Sequence, residues 1–283
     1  MVLSKIKARI NGTRLQPSEV RPYLASESFR PVFFLSTGRC GTAWFTELLE
    51  QHKKLDVHHA TRPELYEQGL FAYRALQQTP PDEKLLEALS EIVFAARQEL
   101  MASAVKQGKR FVETNNRITF FAPVLATMFP YAKFVHLYRD PAGFVKSGMN
   151  RGWYQSHRSD FARLSPISGD EKAHWTNQSR VGKIAWLWRE TNMFIDSSLQ
   201  HMPEHRFQRF NFSEIDQTSV QKLLEWLEID ISSSKIKAHL NKKVNAQKTG
   251  KFPGYAEWSE ADKRDFLDTC ADYAAQLGFS YKP

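Results

Sequence analysis

The chain has 283 residues and a formal charge of +8, with 39 Lys and Arg against 31 Asp and Glu. Its 42% of hydrophobic residues exclude a disordered chain, and its two cysteines exclude a disulfide framework and a multi-cysteine metal site. No apolar run has the length of a signal peptide or a membrane span, so we expect a cytoplasmic protein. The positive charge is spread along the chain, which favours a small anionic partner over a nucleic acid.

After a polar stretch of 30 residues, which we expect to be an irregular or short-helical arm, strand and helix patterns alternate along the chain. Short runs rich in β-branched and aromatic residues predict the strands, and apolar residues at helical spacing predict the helices. The predicted strands are residues 31–36, 55–58, 109–113, 133–138 and 206–210. The predicted helices are residues 42–52, 82–106, 120–130, 141–150, 181–201, 218–227 and 259–277.

This alternation predicts an α/β fold, with a central, mostly parallel sheet flanked by helices on both faces. No repeat or linker divides the sequence, so we expect residues 1–283 to form a single domain. Residues 151–177 are rich in Arg, Ser, Gly and His and have no clear period. A segment of this length and composition is too long for a plain connector, which predicts a substrate-facing loop or lid.

The turn after the first predicted strand has the features of an anion-binding loop, Ser36-Thr37-Gly38-Arg39-Cys40-Gly41-Thr42. Backbone N–H groups and the positive end of the following helix face a ligand in such a turn, and its glycines allow close approach. The loop differs from a Walker A motif, because Gly41 is followed directly by Thr42 and the cation lies two residues earlier. This difference disfavours Mg²⁺-triphosphate chemistry. An unoccupied tight turn between strand and helix is the alternative.

Two segments resemble the family of sulfotransferases that use 3′-phosphoadenosine 5′-phosphosulfate (PAPS). Residues 37–44 are similar to its 5′-phosphosulfate loop, and residues 135–147 are similar to its 3′-phosphate motif, in which an Arg and a Ser eight residues later bind the phosphate. The resemblance implies a P-loop-NTPase-like sulfotransferase fold. It implies that the co-substrate is bound by Thr37, Gly38, Arg39, Cys40, Gly41, Thr42, Ala43, Trp44, Arg139 and Ser147.

Two of these assignments have structural alternatives. Arg139 and the two residues after it also fit a helix cap, and Trp44 fits core packing as well as stacking on adenine. A weaker match, residues 245–251, resembles the basic glycine loop that covers the co-substrate in this family. That match implies roles for Lys248 and Lys251, although two solvated lysines on a loop are the alternative.

The reaction implied by the resemblance moves a sulfuryl group from PAPS to a hydroxyl or amine and releases adenosine 3′,5′-bisphosphate, without a metal. Arg39 would stabilise the charge that develops on the bridging oxygen. Cytosolic members usually have Lys at this position, whereas many carbohydrate, tyrosyl-protein and bacterial members have Arg. The chain is therefore expected to be closer to the bacterial and carbohydrate-type members than to the steroid and phenol enzymes.

The general base does not follow directly from the resemblance. Cytosolic members have a His near residue 115, and this chain has none there; the Glu of other members corresponds most closely to Ala60. We predict His59 as the base, because its ordinary pKa suits proton abstraction near neutral pH, with Glu64 second and Glu113 third.

We expect a carbohydrate, a lipid-linked compound or a small molecule as the acceptor. The predicted acceptor contacts are His58, Arg62, Trp153 and Tyr154. Two other functions stay open: a P-loop kinase for a small molecule or nucleotide, and a catalytically inactive relative that binds nucleotide. The missing Lys-Ser/Thr pair disfavours the kinase, and Ala60 together with the missing His is the reason to keep the inactive relative.

Overall fold

In a computed structural model of the chain, which describes residues 17–78, 83–200, 202–242 and 251–282, five parallel strands form one sheet. The strands are β1 Val32–Leu35, β2 Leu55–His58, β3 Arg110–Glu113, β4 Lys133–Tyr138 and β5 Phe207–Asn211. Their order across the sheet is β2-β3-β1-β4-β5, and the register pairs Phe33 with Glu113 on one side and with Phe134 on the other. All five predicted strands are present, each within two residues of its expected ends.

The central strand β1 is buried on both faces of the sheet, as the unbroken apolar run predicts. Phe33 and Leu35 point into one core, which contains most of the long helices, while Val32 and Phe34 point into the other. All four side chains are fully buried. The sequence thus produces the two-sided α/β arrangement that its pattern indicates.

The helices connect the strands and cover both faces of the sheet. They are α1 Pro17–Leu24, α2 Thr42–Leu49, α3 Tyr66–Gln78, α4 Glu83–Lys106, α5 Ala122–Met128, α6 Pro141–Met149, α7 Gly169–Asn177, α8 Arg180–Leu199, α9 Gln217–Leu227, α10 Ser233–Leu240 and α11 Glu260–Gln276. Short 3-10 turns cover Asn116–Phe121, Asp160–Ala162, Phe212–Glu214 and Tyr255–Glu257. No helix among the described residues is long and apolar enough to cross a membrane.

Three helices were not predicted: α3, α10 and α7, the last of which lies inside the stretch expected to be irregular. Two of them bury little apolar surface: α7 has no buried residue, and α10 has only Ile236 and His239, whereas α3 buries Leu70, Ala72 and Tyr73. The expected N-terminal arm contains the short helix α1, and residues 17–30 also contribute to the core through the buried Leu24 and Phe29. Residues 1–16 lie outside the described part.

The parallel arrangement brings several loops to one edge of the sheet. Strand β1 lies between β3 and β4, so the loops that follow these three strands meet at their carboxyl ends. In open α/β sheets this edge is where ligands bind. The loop that contains Arg39 follows β1, and the loop that contains Arg139 follows β4.

Candidate functional site

The loop after β1 has a backbone that favours glycine at two positions. Gly38 and Gly41 have φ angles of 73° and 99°, and Arg39 between them has a φ of 58°. A Cβ on Gly41 would lie 2.2 Å from the ring of Phe212, so the close contact with that ring leaves no room for a side chain. Ser36 Oγ accepts a hydrogen bond from the N–H of Gly38 at 3.1 Å, which holds the turn. Consecutive left-handed residues of this kind form an anion-binding concavity.

The two arginine loops are in direct contact. Arg139 Nη1 donates a hydrogen bond to the carbonyl oxygen of Arg39 at 3.1 Å, and Arg39 Nε donates to Ser147 Oγ at 3.3 Å. Arg39, Arg139 and Ser147 line the same cleft. Residues about a hundred positions apart in the sequence therefore meet at one site.

The N-terminus of α6 fixes the position of Arg139. Asp140 caps the helix by accepting a hydrogen bond from the N–H of Gly143 at 2.5 Å. A Cβ on Gly143 would lie 2.6 Å from Arg139 Nη2, so the missing side chain lets the guanidinium group lie against the helix. Trp188 Nε1 donates to the carbonyl oxygen of Arg139 at 3.0 Å and holds its main chain. The helix cap that was the structural alternative for residues 139–141 is therefore present, and Arg139 also lines the cleft.

The cleft has a volume of about 590 Å³, and its charged lining is entirely basic among the described residues. It contains no Asp or Glu in that part of the chain, and its basic lining residues are Arg39, Arg117, Arg139, Lys146, Arg151 and Arg163, with His59 and His157. Burial first, and then the nearby charges of Arg151 and Arg139, lower the pKa of Arg39 to about 10. Within the described ranges, the Nε atoms of Arg139 and Arg151 are buried without a hydrogen-bond partner. Buried donors of this kind are satisfied when an anion binds.

His59 lies at the cleft beside a chain of hydroxyl groups. Its Nδ1 is 3.0 Å from Thr114 Oγ1, which is 2.7 Å from Thr46 Oγ1. Because the Thr46 hydroxyl donates to the carbonyl oxygen of Thr42, the Thr114 hydroxyl can donate to Thr46 and accept from His59 Nδ1–H. Nε2 of a neutral His59 is then free to accept a proton. Partial burial lowers the pKa of His59 below its ordinary value and favours this neutral form.

The other two predicted bases are in different surroundings. Glu113 is fully buried, and its carboxylate accepts hydrogen bonds from Arg97 Nε and Nη2 at 2.8 to 3.0 Å. A carboxylate enclosed in this ion pair has no access to an acceptor, so this position does not fit a base. Glu64 does not line the cleft, and its carboxylate interacts with the hydroxyl of Tyr66.

Of the four predicted acceptor contacts, only Trp153 lines the cleft. His58 turns toward Asp56, with Nε2 at 3.1 Å from the carboxylate, and stacks on Phe111. Arg62 is exposed and lies outside the cleft lining. Tyr154 donates a hydrogen bond to the carbonyl oxygen of Leu164 at 2.5 Å. Tyr154 therefore supports a residue of the cleft wall without lining the cleft itself.

The remaining predicted co-substrate residues differ in exposure. Thr37, Gly38, Thr42 and Ala43 line the cleft together with Trp44, but Trp44 is only 6% exposed, because Phe45, Phe212 and His239 surround its ring. This environment favours the packing alternative for Trp44.

Cys40 is fully buried and does not line the cleft, and burial raises the pKa of its thiol. Lys251, the last residue of the C-terminal match 245–251, is the part of that match that the structure describes, and it is exposed. The next residue, Phe252, donates its N–H to Asn150 Oδ1 at 2.8 Å, and Asn150 lines the cleft. Lys251 therefore lies near the rim. Lys248 lies outside the described residues.

Several cleft residues were missed by the sequence reasoning. They are Asn116, Arg117, Lys146, Asn150, Arg151 and Ser159. Lys146 and Asn150 lie one and three residues from Ser147, so the helical period of α6 was a usable signal for them. Arg117 follows β3 by four residues, and its place at the carboxyl edge could have been inferred only with the strand order. Of the segment 151–177, predicted to face the substrate, the 151–164 segment contributes residues to the cleft lining, whereas residues 165–177 do not line it.

Comparison with known proteins gives a family and a fold. The sequence profile described as "Sulfotransferase family" matches residues 31–233. A sulfotransferase domain from the curacin biosynthetic pathway has 12% identity to this chain and a TM-score of 0.53, and the alignment covers 91% of this chain and all of that one. The sulfotransferase STF9 from Mycobacterium avium has 15% identity and a TM-score of 0.49, with 99% of this chain and 85% of that one covered. No curated protein matches the chain.

The profile covers well over half of the chain and includes both arginine loops, the five strands and the helices between them. The similarity to the curacin pathway domain supports the same α/β fold independently of the sequence match. The chain therefore belongs to the sulfotransferase family.

Proposed function

We propose that this protein transfers the sulfuryl group of PAPS to a hydroxyl or amine of a carbohydrate, lipid-linked or small-molecule acceptor. One observation carries the proposal: two arginine loops, each at the carboxyl end of a parallel strand, are in contact within a basic cleft. The distance of 3.1 Å between Arg139 Nη1 and the carbonyl oxygen of Arg39 means that one nucleotide can reach both loops. A nucleotide with one anionic group on its 5′ oxygen and another on its 3′ oxygen fits this pair of loops.

The described residues fit such a co-substrate. Backbone N–H groups of the loop after β1 and the N-terminus of α2 would bind the 5′-phosphosulfate end. Arg139, with Ser147 on the next helix, would bind the 3′-phosphate. The Nε atoms of Arg139 and Arg151 support an anionic ligand, because each is a buried donor that has no acceptor in the described part of the chain. Lys251 would contribute from the rim, and the role of Lys248 stays a prediction from the sequence.

The proposed reaction is an in-line displacement in which the protein supplies position and charge. The bond between sulfur and the bridging phosphate oxygen breaks, and a bond between sulfur and the acceptor oxygen forms. Arg39 would stabilise the negative charge left on the bridging oxygen, since a guanidinium stays charged and does not donate its proton. His59 Nε2 would take the acceptor proton, with Thr114 holding the ring through Nδ1.

Binding of adenosine 3′,5′-bisphosphate tests the co-substrate assignment without turnover. The bisphosphate at about 100 times its dissociation constant should stabilise the folded protein by about 2.7 kcal/mol, seen as a higher melting temperature. Arg39→Ala and Arg139→Ala should each remove most of this rise. Arg74→Ala is the matched control, because Arg74 is exposed and does not line the cleft. An unchanged melting temperature of the wild type at millimolar bisphosphate would refute the assignment.

Turnover distinguishes the enzyme from an inactive relative and from a kinase. Transfer of labelled sulfate from PAPS to a mixture of hydroxylated acceptors should proceed in EDTA, because the proposed chemistry uses no metal. His59→Ala should lower turnover by about 10²-fold while the bisphosphate still binds. Bisphosphate binding with no transfer to any acceptor would favour the inactive relative. Near-normal turnover of His59→Ala would move the base to Glu64.

A further inference from the structure

One wall of the cleft is formed by residues that the co-substrate assignment does not use. We call it the acceptor wall and define it as Tyr66, Arg117, Phe120, Trp153, His157 and Arg163, all of which line the cleft. It comes from α3, from the 3-10 turn after β3 and from the 151–164 segment. The inference rests on the proposed function, because it treats this wall as the place where the acceptor lies.

Arg117 is the unusual member of this wall. Its guanidinium carbon lies 4.4 Å from the centroid of the Tyr66 ring, and the side chain is partly buried. No carboxylate among the described residues lies within ion-pair distance of Arg117. The Tyr66 hydroxyl, through a hydrogen bond and its charge, and the charge of Glu64 favour the charged guanidinium, but the pKa of Arg117 is still lowered. Burial first, and also the charge of Arg163, lower the pKa of Arg117. The folded protein therefore holds this guanidinium in a site that is unfavourable for a charge without an anion.

Arg163 differs from Arg117, because an acidic side chain of the protein already neutralises the charge of its guanidinium. Its Nε donates to the carboxylate of Asp160 at 2.7 Å, and its guanidinium lies 4.2 Å from the centroid of the Trp153 ring. Arg163 is 7% exposed. This pairing and stacking make Arg163 a support for the wall, and they leave Arg117 as the arginine of the wall that has no carboxylate in ion-pair contact among the described residues.

His157 contributes a donor and no charge. Its Nδ1 accepts the N–H of Ser159 at 3.2 Å and lies 3.4 Å from Arg163 Nη2, which is also a donor. The proton of the neutral ring is therefore on Nε2. Burial, followed by the charge of Arg163, lowers the pKa of His157 and favours this neutral form. The arrangement is the reverse of that at His59, where Nε2 is free to accept a proton.

The rest of the wall is apolar. Phe120 and Trp153 line it, and Leu164 and Leu187 continue the same surface. We propose that the acceptor is a hydroxylated compound with an apolar body and an anionic group of its own, carboxylate or phosphate, which Arg117 binds. A charge-assisted hydrogen bond to a partly buried guanidinium contributes about 1.5–3 kcal/mol, which is a preference of about 10- to 100-fold for the anion.

Matched pairs of probes test this inference. A panel of hydroxyalkyl and hydroxyaryl carboxylates and phosphate monoesters is compared with the neutral twin of each compound, a primary amide or an alcohol. Binding is measured by calorimetry with and without saturating adenosine 3′,5′-bisphosphate. The variants are Arg117→Gln and the control Arg158→Gln, since Arg158 is an exposed arginine of the 151–164 segment, which also contributes to the acceptor wall, and does not itself line the cleft.

In the wild type, the best-binding pair should show at least about 10-fold tighter binding of the anion, and Arg117→Gln should abolish this preference. Arg158→Gln should keep it, which excludes a general effect of net charge. Neutral twins that bind as well as their anions in every pair, or an anion preference that survives in Arg117→Gln, would overturn the inference. Failure of the bisphosphate alone to bind refutes the proposed function instead, and the measurements without bisphosphate then decide the role of Arg117 separately.

Discussion

The ion pair between Arg97 and Glu113 gives a prediction that separates a structural carboxylate from a catalytic one. Both side chains have no exposed surface, and Arg97 also donates to the carbonyl oxygen of Pro63 at 2.9 Å. Glu113→Gln leaves a buried guanidinium without its counter-charge. Removing one partner of a buried pair costs about 3–5 kcal/mol, a large part of the roughly 5–15 kcal/mol that stabilises a typical folded protein.

At roughly 2 °C per kcal/mol for a chain of this size, this loss lowers the melting temperature by about 6–10 °C. The double variant Arg97→Met/Glu113→Leu should be more stable than either single variant, because it removes both buried charges. Glu27→Gln is the control, since the ion pair of Glu27 with Arg30 is exposed and should contribute less than about 1 kcal/mol.

Urea unfolding and thermal melts measure the stabilities, and transfer of labelled sulfate is measured well below the melting temperature. Turnover per folded molecule of Glu113→Gln should fall far less than the roughly 10²-fold expected on loss of a general base. Unchanged stability together with a loss of turnover of that size would refute the reasoning and would return Glu113 to the catalytic candidates.

The base, the loop and the cysteines give three more tests. The acidic limb of the kcat/KM profile should have its midpoint below the ordinary histidine pKa of 6.5, because burial lowers the pKa of His59, which acts in its neutral form; a midpoint above 6.5 contradicts this. Gly41→Ala should weaken bisphosphate binding in calorimetry by about 10-fold or more, because of its φ of 99° and the contact with Phe212; unchanged affinity contradicts it. Cys40 and Cys270 should resist iodoacetamide in the native protein, since burial raises the pKa of both thiols, and mass spectrometry should find both labelled only after unfolding; rapid native labelling is the contrary result.

The fold was largely predictable because the strands of a parallel sheet are buried on both faces. Such strands are short apolar runs, and the run at residues 31–36 is clear from its composition alone. Helix α3 was missed although Leu70 and Tyr73 are buried, because exposed residues such as Phe71 obscure its period. Helix α10 is held by only two buried residues, so tertiary contacts rather than a sequence pattern determine it.

Site residues could be predicted where they lie in a recognisable loop, and they could not be predicted where their position depends on the order of the strands. Arg39 and Arg139 stand in recognisable turns between strand and helix, and the sequence was sufficient to expect both at one edge. Arg117 has no motif around it, and it reaches the cleft because β3 lies next to β1. Glu113 does not fit the predicted role of a base for the opposite reason. An acid at the end of a strand lies near the site, but Glu113 forms a buried ion pair with Arg97, which is on α4. A single sequence contains no signal for that contact.

The cluster of arginines couples the stability of the protein to its ligand. Arg39, Arg139 and Arg151 are brought together only on folding, and their repulsion adds to the desolvation that lowers the pKa of Arg39 to about 10. A lowered pKa means that the charged form is less favourable in the folded state, so at neutral pH these charges oppose folding. The buried core on both faces of the sheet offsets this cost. An anion bound in the cleft removes part of it, and the guanidinium groups that would bind the co-substrate are therefore the same groups that make the folded protein respond to it.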